Sequence, residues 1–138
     1  MKNLNLVHVF LLAVVVSVLA ACSGGEKTPG QIEMSIWNTI ESGNYEKAMD
    51  MWYENSAVSP DKNQADQKEF VKAFADKMKS SIEEKGGIQE VKIVSEELSE
   101  DGETAIVAVK ITFKNGTTQE DDSKYIKVDG KWKISNSK

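Results

Sequence analysis

The sequence contains no arginine, one histidine, His8, and one cysteine, Cys22. A single cysteine excludes a disulfide bond within the chain, and the lack of arginine excludes bidentate guanidinium recognition of phosphate. The formal net charge is −5 and no run of basic residues is present, so nucleic acid is not expected as a partner. Several common kinds of site are therefore excluded before any motif is considered.

Residues 1–21 show the features of a secretory signal in the usual order. Lys2 supplies a positive start, an uncharged apolar stretch follows from Leu4 to Leu19, and small residues precede Cys22. The stretch is shorter than the roughly 20 apolar residues that a membrane-spanning helix needs. Leu19-Ala20-Ala21-Cys22 resembles the lipobox of bacterial lipoproteins, which implies cleavage before Cys22 and lipids of the diacylglycerol and palmitate kind on that residue. The alternative is an ordinary signal peptide followed by a chance cysteine.

The resemblance to lipoproteins also predicts an address. Residues 22–27 would form a lipidated stalk and residues 28–138 a single folded domain. Ser23, rather than an aspartate, follows the cysteine, which by resemblance to enterobacterial lipoproteins favours the outer membrane, facing the periplasm, in a Gram-negative cell. Two or three acyl chains anchor stably, because each buried methylene contributes about 0.8 kcal/mol. We expect a cell-envelope protein whose first partner is the membrane.

Cleavage would change the chemical inventory of the mature chain. His8 and Lys2 would be lost, which gives a formal charge of 16 − 22 = −6, and the only thiol would carry lipid. Nucleophilic catalysis that depends on histidine is then excluded, as is a zinc site of the Cys/His type. We expect no cofactor and no metal.

Three helices are predicted in the first half of the domain. Thr28-Pro29-Gly30-Gln31 has the pattern of a capping box, and Ile32, Ile36 and Ile40 then form one apolar stripe. Ser42-Gly43-Asn44 ends this helix, and a short second helix runs from about Tyr45 to Trp52.

The third and longest helix is predicted from Asp66 to the glycines Gly86-Gly87. Phe70, Phe74, Met78 and Ile82 recur every four residues, and Val71 and Ala75 widen this stripe, which indicates the core-facing side of this helix. We therefore expect Phe74 to lie in the core.

The second half has the pattern of antiparallel strands. Apolar, β-branched runs lie at Ile88–Leu98, Thr104–Phe113, Lys124–Val128 and Trp132–Ile134. Asp101-Gly102, Asn115-Gly116 and Asp129-Gly130 stand between them and are strong hairpin signals. The predicted fold class is α+β, with three N-terminal helices packed on a four-stranded antiparallel sheet and the long helix on one sheet face.

Nearly the whole mature chain resembles one superfamily. The segment Ser42-Gly43-Asn44-Tyr45-Glu46-Lys47-Ala48, the long helix and the closing hairpin from Lys124 to Ile134 resemble the nuclear transport factor 2-like superfamily, and especially its uncharacterised lumazine-binding-like lipoproteins. The resemblance implies a sheet curved around the long helix as a cone, with an apolar pocket at the wide end. Members of the superfamily include isomerases, ligand carriers and protein-binding modules, so the resemblance implies no single function.

A pocket in such a cone has few candidate residues. In the isomerase-like members a carboxylate acts as the base beside a phenol, which here indicates Asp121 or Asp122 with Tyr125. The complete candidate set adds three aromatic residues that are also typical of a packed core: Trp37, Tyr53 and Phe113.

The pairing of the second and third strands decides which acid faces the pocket. A two-residue turn at Asn115-Gly116 places Asp122 opposite Val109 and Glu120 opposite Ile111. A three-residue bulged turn instead places Asp121 opposite Ile111, Tyr125 opposite Val107 and Lys110 opposite Asp122. We prefer the bulged register because it satisfies more groups.

Two classes of function follow. The first is a non-catalytic envelope module that binds a small apolar ligand or an envelope protein. The alternative is a small enzyme of the isomerase or dehydratase kind that uses Asp121 or Asp122 with Tyr125. A purely structural spacer or an oligomerising domain is a third possibility, and the sequence predicts no oligomeric state.

Overall fold

The computed structural model describes residues 26–57 and 64–135. The elements are, in order, α1 Pro29–Glu41, α2 Tyr45–Glu54, α3 Gln64–Glu84, β1 Ile88–Leu98, β2 Thr104–Phe113, β3 Thr118–Val128 and β4 Lys131–Ile134. The strands form one antiparallel sheet in the order β1-β2-β3-β4. The predicted α+β class is confirmed. The predicted signal segment 1–21 and Cys22 lie outside the described residues.

Local sequence signals account for α1. The amide nitrogen of Gln31 donates to Thr28 Oγ1 at 3.3 Å, and the amide nitrogen of Thr28 donates to Gln31 Oε1 at 3.0 Å, so both halves of the capping box are present. The stripe of Ile32, Ile36 and Ile40 is buried in the core, as predicted.

The core-facing side of α3 agrees with the predicted stripe at Val71, Ala75, Met78 and Ile82 and differs from it at the two phenylalanines. Val71, Ala75 and Ile82 are buried, whereas Phe70 and Phe74 are 53% and 48% exposed. A step of four residues turns a helix by about 40° more than one full turn, so a strict fourfold stripe moves around the helix by roughly 120° from its first member to its fourth. Positions 71, 75, 78 and 82 stay within a sector of about 60° and form the actual core face.

The hairpin between β2 and β3 has a different register from both predicted ones. Its three-residue loop is Lys114-Asn115-Gly116, with Gly116 at φ 88°, and Lys110 pairs with Glu120 instead of Asp122. The amide nitrogen of Lys114 donates to the carbonyl oxygen of Gly87 at 2.9 Å, so a contact distant in sequence fixes where the turn begins. The register is displaced by two residues from the preferred one, and an even displacement leaves every side chain on its predicted face.

The other strand connections follow their turn signals. Asp129 and Gly130 have φ values of 51° and 77°, as a two-residue type I′ turn requires.

β4 pairs only with Tyr125–Val128 of β3 among the described strands, so the first half of β3 has one edge without a neighbouring strand.

The helices cover one face of the sheet. α1 lies closest to the sheet, over β1 and β2, while α2 packs against both α1 and α3. The predicted packing of three helices on one sheet face is confirmed, with α1 rather than α3 making the closest backbone approach, and α3 reaching β2 through the side chains of Phe74, Met78 and Ile82. Within the described ranges, no helix combines the length and the apolar character needed to cross a membrane.

Candidate functional site

A cavity of about 250 Å³ lies between the three helices and β3, and we call it the aromatic cavity. Most of its wall is apolar. Its aliphatic residues are Ile36, Ile40, Met49, Val71 and Met78, and its aromatic residues are Trp37, Trp52, Tyr53, Phe70 and Phe74. The remaining lining residues are polar: Glu33, Asp121, Asp122 and Ser123. A concave apolar wall with a few polar groups is the usual form of a small-molecule site.

The exposed phenylalanines of α3 belong to this cavity. The rings of Phe70 and Phe74 stack with their centroids 5.8 Å apart, and each is about half exposed. Since both rings also line the cavity, they form part of its rim. Their position explains why an apolar pair stands outside the core face of α3.

Glu33 is the buried polar residue of the cavity wall, with 6% of its surface exposed. The indole Nε1 of Trp37, one helical turn further along α1, donates to Glu33 Oε1 at 3.0 Å. The hydroxyl of Tyr125 donates to Glu33 Oε2 at 2.5 Å. Two neutral donors thus hold a carboxylate in one orientation beside the cavity.

Tyr125 supports Glu33 from the sheet. Its side chain is fully buried, and its position opposite Ala105 turns it towards the helices. Burial raises the pKa of the Tyr125 phenol above the ordinary value of 10.0, and the negative charge and hydrogen bond of Glu33 raise it further. The phenol is therefore held in its protonated form, in which it can donate to Glu33.

The first turn of α1 is attached to β1. The amide nitrogen of Gly30 donates to Glu96 Oε1 at 3.3 Å. A side-chain carbon added at Gly30 would lie 2.5 Å from Glu96 Oε2, so a larger residue here would displace the Glu96 carboxylate from the Gly30 amide. This hydrogen bond links the start of the helix that carries Glu33 to the sheet.

The sequence-predicted site residues occupy three different places. Trp37, Tyr53, Asp121 and Asp122 line the aromatic cavity. Phe113 lines an adjacent cavity of about 230 Å³, which shares Trp37, Phe74, Met78 and Asp121 with the first. Tyr125 lies in the core, with only its interaction with Glu33 directed towards the cavity wall.

Asp121 and Tyr125 do not converge on one point. They lie on the same face of β3 but are four residues apart, which corresponds to roughly 13 Å along a strand. The Asp121 carboxylate is exposed and accepts from Gln119 Nε2 at 3.0 Å. The carboxylate that meets the Tyr125 phenol is Glu33, which the sequence reasoning missed. One signal could have found it: Glu33 stands beside the stripe of Ile32 and Ile36, four residues before the indole donor of Trp37.

No metal centre is evident in the part of the chain that the structure describes. No three or more histidine, cysteine, aspartate or glutamate side chains come together there in a way that could hold an ion.

Alkaline pH should destabilise the protein through Tyr125. Because the folded pKa is raised, its contribution to stability is fully present below about pH 10 and is lost as the pH rises beyond that value, where the unfolded phenol ionises. The slope for one such group is about 1.4 kcal/mol per pH unit. Urea unfolding between pH 9 and about 11 should show a steeper loss in the parent chain than in Tyr125→Phe. Equal slopes would contradict the buried, protonated phenol.

Comparison with known proteins identifies the family and the fold. A family model described as a domain of unknown function, DUF4878, matches residues 21–135, and the chain belongs to this family. No curated protein sequence matches the chain. The crystal structure of a Campylobacter jejuni protein described as an NTF2-like transpeptidase aligns with a TM-score of 0.61 and 16% identity, and covers 80% of this chain and 100% of that one. At this identity the similarity concerns the fold, which is NTF2-like, and not the activity.

Proposed function

We propose that the domain is a non-catalytic binding module that takes a small, largely apolar molecule into the aromatic cavity. The observation that carries the proposal is the composition of the wall, where ten aliphatic and aromatic side chains surround about 250 Å³ and only four polar residues join them. Two of the aromatic rings remain about half exposed at the rim. A ligand would cover this apolar surface and gain about 25 cal/mol for each square ångström removed from water.

The polar groups favour binding over catalysis. A general acid or base must lie within hydrogen-bond reach of the proton that it transfers. The Tyr125 hydroxyl, which the isomerase alternative needs as a donor to a substrate, already donates to Glu33, and the Trp37 indole donates to the other oxygen of the same carboxylate. Asp121 is exposed at the cavity wall, roughly 13 Å along β3 from that phenol. The arrangement therefore supports the isomerase alternative, with Asp121 or Asp122 beside Tyr125, less well than it supports a binding module.

Two compact caged compounds test the proposal: 1-adamantanol, which is neutral, and 1-adamantylamine, which is cationic. The mature chain in nanodiscs of phosphatidylcholine should bind at least one of them with a change in tryptophan fluorescence, because Trp37 and Trp52 line the cavity. Empty nanodiscs give the background. Binding of neither compound would contradict the proposal.

A matched pair of variants assigns the binding to the cavity. Phe74→Ala should weaken binding roughly tenfold, since it removes about 1.5 kcal/mol of apolar contact from the rim. Ile106→Ala removes a side chain of similar exposure, 41%, from the opposite sheet face and should leave binding unchanged. Equal weakening by both variants would place the site elsewhere.

We also propose that the domain is held in the cell envelope by lipid on Cys22, in the outer membrane facing the periplasm if the cell is Gram-negative. The lipobox-like Leu19-Ala20-Ala21-Cys22 and the lone cysteine support this address. The likeness to lumazine-binding-like lipoproteins is part of the same proposal.

Substitution of the cysteine tests the anchor. Cys22→Ser should yield unprocessed precursor or protein released from the membrane, whereas the parent chain should stay with the membrane fraction. Mass spectrometry of the mature parent chain should find acyl groups on Cys22. An unmodified thiol at Cys22 in mature protein would show that this anchor does not exist.

A further inference from the structure

We propose that the ligand of the aromatic cavity is an organic cation, a protonated amine or quaternary ammonium group on a compact apolar body. The inference rests on the proposed function and adds the chemical class of the ligand to it. Three features of the described residues support it: the sign of the charge in the wall, the absence of a counter-ion for Glu33, and the aromatic rim.

The charged lining residues all carry the same sign. Glu33, Asp121 and Asp122 are the ionisable acids of the wall, and the lining contains no lysine. Asp121 lies on the inner face of β3 opposite Val109, while strand alternation turns the side chain of Asp122 to the other face, so the acidic side chains on the cavity side are those of Glu33 and Asp121. An anionic ligand would meet repulsion here, and a cation would be attracted.

Glu33 has no counter-ion in the described part of the chain. The ion pairs there join Lys72 with Asp76, Lys79 with Glu83 and Lys92 with Glu90, and all three are exposed. The two donors on Glu33, an indole and a phenol, are neutral. A buried carboxylate without a positive partner is costly, and a cation in the cavity would provide that partner. Each Glu33 oxygen accepts one of these hydrogen bonds and retains capacity for a second.

The aromatic residues favour the same charge. Five rings line the cavity, and the negative face of an aromatic ring attracts an ammonium group. Trp37 has its polar edge directed to Glu33, which leaves the ring itself available as wall. The wall of the cavity therefore combines aromatic rings and carboxylates, which attract a cation, with aliphatic residues that can contact the apolar body.

Three probes with the same cage separate the ligand classes: 1-adamantylamine, 1-adamantanol and 1-adamantanecarboxylate. With the mature chain in phosphatidylcholine nanodiscs, tryptophan fluorescence should show the amine binding about tenfold more tightly than the alcohol, and the carboxylate most weakly. Added salt should weaken the binding of the amine and leave the binding of the alcohol unchanged. If the alcohol or the carboxylate binds as tightly as the amine, the proposed ligand class is wrong while the binding function stands. If none of the three binds, the binding function fails and the inference with it.

Charge-neutral variants identify the acids involved. Asp121→Asn should weaken the binding of the amine severalfold without affecting the binding of the alcohol. Because Asp121 is exposed, this substitution is not expected to impair folding. Glu33→Gln should weaken the amine further, provided that its melting temperature shows a folded chain. Glu120→Gln removes the same charge from the outer face, opposite Lys110, and should leave amine binding unchanged. Equal losses in Asp121→Asn and Glu120→Gln would mean that net charge, and not the cavity, attracts the amine.

Discussion

Replacing Ile111 with alanine is expected to lower the free energy of unfolding by about 2–5 kcal/mol. Ile111 is fully buried in β2, a central strand of the sheet, where it pairs with Val91 on β1 and Gln119 on β3. Truncation leaves a cavity that neighbouring strands cannot close, and the cost of that cavity adds to the lost transfer free energy. Urea denaturation of the mature chain, followed by circular dichroism, measures the loss.

Phe74→Ala is the informative comparison, because Phe74 lies on the helix stripe that the sequence assigns to the core. At 48% exposure its truncation should cost no more than about 1 kcal/mol. A larger loss for Phe74→Ala than for Ile111→Ala would mean that α3 turns its phenylalanines inward and that the rim of the aromatic cavity does not exist as described.

The second large effect is expected at the buried hydrogen bond between Tyr125 and Glu33. Tyr125→Phe removes the donor from Glu33 Oε2 and should cost about 1.5–3 kcal/mol, the range for a hydrogen bond to a charged group. Glu33→Leu leaves the Tyr125 hydroxyl and the Trp37 indole without their acceptor, so its loss of stability should be at least as large as that of Tyr125→Phe. Tyr45→Phe, at a half-buried tyrosine of α2, is the matched control and should change stability by less than about 0.5 kcal/mol.

A double-mutant cycle separates this interaction from general packing. The Glu33→Leu single variant leaves a buried phenol without an acceptor, and the double variant with Tyr125→Phe removes that phenol as well. The stability loss of the double variant should therefore be smaller than the sum of the two single losses, by about 0.5–3 kcal/mol. Strictly additive losses would show that Glu33 and Tyr125 do not interact in solution.

Local signals in the sequence were sufficient for the elements of this fold. Thr28 and Gln31 specify the start of α1 through contacts three residues apart. Asp129-Gly130 specifies a two-residue hairpin because both residues tolerate positive φ. Each of these features depends on neighbours in the chain, so the sequence alone predicts it, and the order of three helices and four strands follows.

The packing of α3 and the pairing of β2 with β3 could not be predicted in the same way. The choice between Phe74 and Val71 as a core residue depends on where α1 and α2 lie, because both helix faces carry apolar side chains. The position of the β2–β3 turn depends on the bond between Lys114 and Gly87, which are distant in sequence. Contacts of this kind leave no periodic pattern.

The candidate pocket residues of the sequence are divided in the structure. Trp37, Tyr53, Asp121 and Asp122 lie in the lining of the aromatic cavity, whereas Phe113 lines the adjacent cavity and Tyr125 lies in the core. Glu33 was missed because a single glutamate in a helix is usually solvated. Its burial becomes evident only when Tyr125, 92 residues further along the chain, is brought against it.

The central claim, that the aromatic cavity is a binding site, is tested most directly by NMR of isoleucine and methionine methyl groups with 1-adamantylamine as the probe. The mature chain in nanodiscs carries lining methyls at Ile36, Ile40 and Met49 and internal controls on the outer sheet face at Ile106 and Ile126. We predict chemical-shift changes at the three lining residues, saturating with the probe, and none at the two controls. Changes at Ile106 and Ile126 alone, or no change at any lining methyl, would contradict the claim.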